Sequence, residues 1–158
     1  MTARSRRDKD LWHCPECGRG FANQNQSHFC GKYSLETHFA GKNPEVLALF
    51  NGLLSLFRSF GPVTVLPEKS RIAFQVRMSF AAVSTRRSYL IGHLVLARRV
   101  DDSRFSRIDT ISARNHVHHF KLSDAAQLDK GFKSLAKEAY EVGEQRHLEA
   151  PRRARSSD

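Results

Sequence analysis

The sequence predicts an α+β fold: an antiparallel sheet flanked by helices and preceded by a small N-terminal knuckle. Three observations predict it. All three cysteines fall within the first 30 residues. Apolar residues recur every three or four positions over 44–60 and again over 124–146, which is the helical period. Between these stretches the period drops to two, in short runs separated by turn residues, as expected of consecutive antiparallel strands.

The 158 residues are 40% hydrophobic and 27% charged, which suits one compact domain and excludes wholesale disorder. No apolar run approaches the roughly 20 residues of a membrane helix. The opening MTARSRRDKD has no apolar segment behind its charges, so no signal peptide is expected, and a cytoplasmic protein is. Residues 1–10 are expected to be a disordered basic arm and 149–158 a disordered tail, flanking a module over 11–32 and a domain over 33–148.

In the module, Cys14-Pro15-Glu16-Cys17-Gly18 spaces two thiolates across a tight turn, and Gly18 permits the backbone geometry that turn needs. An odd cysteine count without an export signal points to metal rather than to a disulfide framework. The spacing predicts structural Zn2+ held by Cys14, Cys17, His28 and Cys30. His28 and Cys30 are two apart, so they share a side only on extended chain. His38 is the alternative fourth ligand, with His13 more distant. Four protein ligands leave no open coordination position, so the ion is read as structural.

Ser34 and Gly41 bracket a short helix. Asn43-Pro44-Glu45 starts a longer one, with Asn43 as its capping residue, expected to reach Phe60 before Gly61-Pro62. Val63–Leu66 reads as a strand. In 71–80, Ile72, Phe74, Val76, Met78 and Phe80 alternate with Arg71, Ala73, Gln75, Arg77 and Ser79, predicting one half-buried strand with a cationic face. Tyr89–Ala97 is apolar on both parities and reads as a central strand. Phe105–Ser112 and His116–Leu122 follow as two more. Ser123 or Asp124 is expected to cap a final helix reaching Arg146.

Several separated segments resemble one known family: CPECGRGF with NQSHFC, LETHFAGKNPE, GPVTV, RIAFQVRMSFAAV, HLVLARRV, NHVHHF and EAYEVGEQRHL. Together they make residues 11–148 similar to the bacterial family called domain of unknown function 5655, in which a short zinc-knuckle segment precedes the domain. The resemblance implies a small bacterial α+β protein and no particular reaction.

Net charge is +10, and arginines outnumber lysines 18 to 8. That balance suits a polyanionic partner, because the guanidinium fork matches phosphate. Arg71, Arg77, Arg86 and Arg87 are the candidate nucleic-acid-binding residues, for DNA or RNA phosphates; the competing reading is a solvated face of unrelated charges. The other candidate site is a small-ligand or enzymatic one around His93, His116 and His118, since His116 and His118 share a strand face. Here the competing reading is a pair of hydrogen-bonded histidines bordering the core. A protein-interaction adaptor, docking through the knuckle, is the third possibility. No phosphate loop, nucleotide fingerprint or nucleophile elbow is present.

Overall fold

The computed structural model describes residues 11–16, 18, 20–22 and 33–146. The basic arm and the tail expected at the termini lie outside them. In chain order the elements are β1 (Trp12–His13), β2 (Gly20–Phe21), α1 (Leu35–Phe39), α2 (Pro44–Arg58), β3 (Thr64–Pro67), β4 (Ile72–Gln75), β5 (Ser79–Thr85), β6 (Leu90–Leu96), β7 (Phe105–Ser112), β8 (Asn115–Leu122), a 3-10 turn (Ala125–Gln127) and α3 (Lys130–Gly143). The fold is α+β, as predicted: strands β3 to β8 form one six-stranded antiparallel sheet in the order β3-β4-β5-β6-β8-β7.

Helices α2 and α3 cover one face of the sheet. Val46, Leu49, Phe50, Leu53 and Phe57 of α2 meet Phe132, Leu135, Ala136, Ala139 and Tyr140 of α3 in one core. The sheet adds Ile72, Phe74, Val83, Leu90, Leu94, Leu96, Phe120 and Leu122. Phenylalanines dominate the contact: Phe57 meets Phe74 and Phe80 edge-on, both at 4.9 Å between ring centroids. Such pairs stabilise by about 1 kcal/mol beyond the area they bury.

Four element assignments need correction. Residues 71–80 are not one strand. The chain turns at Val76–Met78, where the Val76 N–H donates to the Met78 carbonyl, and Gln75 then pairs with Ser79. A register shift beside this turn sends both Phe80 and Ala81 into the core. Alternation therefore carries across the turn in sequence but not in space. Second, α2 stops at Arg58; the Ser59 N–H bonds back to the last turn. Gly61, at φ +151°, then passes beneath the Tyr140 hydroxyl. Third, Asn43 does not cap α2 with its side chain; its amide donates to Glu45 instead, at 3.4 Å. Fourth, Asp124 caps only the 3-10 turn, and α3 begins later, where Asp129 accepts from the Phe132 N–H at 2.8 Å.

The β1–β2 hairpin docks at the β4–β5 turn. The Ala22 N–H donates to the Arg77 carbonyl, and the buried Gln75 amide donates to the Gly20 carbonyl at 2.8 Å. Among the described residues, no helix is long and apolar enough to cross a membrane.

Candidate functional site

Among the described residues no helix lies on the sheet face opposite α2 and α3, and the strand register sets a row of residues across it. Leu66 pairs with Ala73, Ala73 with Ala82, Ala82 with His93, His93 with His119, and His119 with Arg107. The small alanines leave room beside the two imidazoles. A cleft of about 220 Å³ opens there, lined by Arg71, Ala82, Ser84, Ile91, His93 and His119.

His93 and His119 meet edge to face with 5.8 Å between ring centroids. Burial, followed by the charges of Arg71 and His119, lowers the His93 pKa to about 4, so this ring is neutral at pH 7. His119 is held differently. Its Nε2–H donates to Asp109 Oδ2 at 2.8 Å. That bond first, and Arg107 beside it, keep the Asp109 carboxyl below the usual carboxylate range. With Nε2–H spent on Asp109, the ring presents Nδ1 to the cleft side as an acceptor when neutral and as a donor when doubly protonated. Arg71 borders the same cleft and spends its Nε–H on Glu68 at 2.8 Å. A guanidinium has five N–H donors, so a single such bond leaves the fork able to grip an anion.

The sequence grouped His93 with His116 and His118, and the structure separates them. Leu94, not His93, lies opposite His118, so His116 and His118 point toward the helices. His118 is fully buried. Its Nδ1–H donates to the His116 carbonyl, and its Nε2 accepts from the Val100 N–H, both at 2.9 Å. Burial lowers its pKa, and both nitrogens are spent on pinning the chain after β6. His116 is similarly engaged, with Nε2–H donating to Ala113 and Nδ1 accepting from Thr110. Neither ring is presented to a ligand. His119 and Asp109 were missed. The signal was present, because Phe120 and Leu122 share the parity of His116 and His118, which marks that parity as the core side and His119 as the open one.

The four arginines divide three to one. Ile72 pairs with Val83, so Arg71 lies at the same end of the sheet as the exposed turn carrying Arg86 and Arg87. Lys121 joins that end, its ammonium 4.2 Å from the Tyr89 ring centroid. Arg77 is at the other end of β5, about 20 Å away at the rise of an extended strand. It is buried in the β4–β5 turn and donates to Gln145 at 2.9 Å. Among the described residues no continuous cationic face therefore joins Arg77 to Arg71. Farther round, Arg98 pairs with Glu138 and Arg99 with Asp101.

Of the expected metal ligands, Cys14 is described and Cys17, His28 and Cys30 lie outside the described residues. Cys14 is buried, and its carbonyl accepts from the Gly18 N–H at 2.8 Å, with Gly18 at φ +74°. His38 is placed elsewhere. Its Nε2–H donates to the Glu68 carbonyl at 2.6 Å and its own carbonyl accepts from Thr85, at the end of β5 opposite the hairpin contact. Among the described residues no group of three or more His, Cys, Asp or Glu is arranged to hold a metal ion.

No curated protein and no solved structure shows significant similarity to the chain. The family model for Domain of unknown function (DUF5655) matches residues 35–143, which span the sheet, its helices and the histidine cleft, and the chain belongs to that family.

Proposed function

We propose that the chain binds a phosphate-bearing ligand in the histidine cleft on the sheet face opposite α2 and α3. Arg71 supplies the charge, His93 a neutral ring donor, His119 a second donor through Nδ1 when both its nitrogens carry protons, and Arg86 and Arg87 a basic rim. One observation carries this reading: a guanidinium and two imidazoles line a single cleft on the sheet face opposite α2 and α3. Anion sites need such convergent donors more than they need net charge.

The size of the cleft favours a small ligand such as a nucleotide phosphate. A nucleic-acid backbone is the second reading, favoured by the exposed Arg86 and Arg87 at the cleft's end of the sheet. Affinities for inorganic phosphate, a mononucleotide, and DNA and RNA oligomers across a salt series separate the two. The small-ligand reading predicts mononucleotide binding with shallow salt dependence. The nucleic-acid reading predicts a slope of about −0.9 per phosphate contact on duplex DNA. In either case Arg71→Ala abolishes the tight phase. Binding that is absent throughout, or unchanged in Arg71→Ala, contradicts the proposal.

We also infer that Cys14, Cys17, His28 and Cys30 hold a structural zinc ion. The closed Cys14–Gly18 turn supports it, and the commitment of His38 to Glu68 favours His28 as the fourth ligand. Zinc in this position braces the hairpin against Gln75 and Arg77. Reduced thiolates fit a cytoplasmic protein. Metal analysis of the purified chain tests this: one zinc per chain, lost in Cys14→Ser, is expected, and a metal-free folded chain refutes it.

A further inference from the structure

We propose that β7 is a self-pairing edge through which two copies of this chain join their sheets into one. The six-stranded sheet ends at β3 and β7. The β3 edge is blunted, being four residues long and ending in Pro67. The β7 edge is not. It is eight residues long, and among the described residues no strand lies beyond it. It also carries Ile111, which is 67% exposed. An edge of this kind offers a row of backbone donors and acceptors to another strand.

Its sequence says which strand. Register shifts at Phe105/Arg107 and at Thr110/Ser112 leave Arg107–Thr110 as its regular stretch. Place a two-fold axis through Ile108, and antiparallel pairing sets Arg107 opposite Asp109 of the partner subunit. Ile108 then meets the partner's Ile108. Charge faces opposite charge and apolar faces apolar, as a two-fold interface requires of a single patch. Arg107 and Asp109 are 66% and 44% exposed while already 3.2 Å apart within the chain, so the partner adds cross-strand pairs to a local one. The pairing also sets the partner's Arg107 beside Asp109, the residue that orients His119. The interface stands whether or not the cleft binds phosphate. A short edge pairing buries less than a standard interface, so a dissociation constant on the order of 10 µM is expected.

Sedimentation of the full chain over roughly 1–200 µM tests this, because that range brackets the expected constant. Wild type should pass from monomer to dimer. Arg107→Asp and Asp109→Arg each set like charges opposite one another, and each should weaken self-association at least about tenfold. An equimolar mixture of the two restores every opposite pair and should form a mixed dimer, an outcome that misfolded variants could not produce. A wild-type chain that stays monomeric overturns the proposal and leaves the edge to a foreign strand. Single variants that associate like wild type, or that fail to pair on mixing, overturn it as well.

Discussion

His119 donates its Nε2–H to Asp109 Oδ2 at 2.8 Å, across two neighbouring strands on the sheet face opposite α2 and α3. The bond fixes the ring's orientation and leaves Nδ1 for other work. Asp109→Ala frees the ring, so phosphate affinity should fall several-fold while global stability changes little, Asp109 being on the surface. Isothermal titration and denaturant unfolding of the same variant check both halves.

His93 gives the fold a pH dependence of known sign. Its folded pKa of about 4 lies below its ordinary value of 6.5, so the unfolded chain binds more protons between these two values. The stability associated with neutral His93 is complete above pH 6.5 and is lost as pH falls toward 4. His118, also lowered, acts in the same direction. His93→Gln should flatten the unfolding free energy between pH 7 and pH 5, by an amount on the order of 2 kcal/mol. A pH profile identical to wild type contradicts the placement of His93.

His118 and His119 are adjacent in sequence and opposite in duty. His118→Ala removes the partners of the Val100 N–H and the His116 carbonyl and opens a cavity, so a loss of about 2–4 kcal/mol is expected. Phosphate affinity of the folded fraction should be unchanged. His119→Ala should do the reverse. Urea unfolding paired with ligand titration distinguishes them.

Gly61 cannot be replaced. Its φ of +151° disfavours any side chain, and a Cβ would meet the Tyr140 hydroxyl, which donates to the Pro62 carbonyl at 3.0 Å. Gly61→Ala should destabilise by about 2 kcal/mol or more. Adding Tyr140→Phe should recover part of that loss, and a double-mutant cycle reads the coupling. Strict additivity contradicts the contact.

Legibility in the sequence tracked how local each cause was. Period, the Ser34 cap and Pro44 placed α1, the start of α2 and the central β6, because these depend on residues close in sequence. The hairpin at Val76–Met78 was hidden, because Ile72 to Phe80 alternates without a glycine or proline to mark the turn. The start of α3 was misplaced, because Asp124 and Asp129 are both good caps and only packing selects between them. The cleft was half legible. His93 was singled out, but its neighbour across the sheet depends on which strand lies beside β6. That strand is β8 rather than the sequentially next β7, and nothing in the alternation of either one reveals the crossing. Arg77 looked like its neighbours in sequence and was taken out of their face by the turn.

The phosphate site is tested most directly by following all histidine ring resonances by NMR while inorganic phosphate, then a mononucleotide, is added. The account predicts saturable shifts at His93 and His119, none at His116 and His118, and loss of the response in Arg71→Ala. Shifts confined to other histidines, or a response that survives Arg71→Ala, would contradict it.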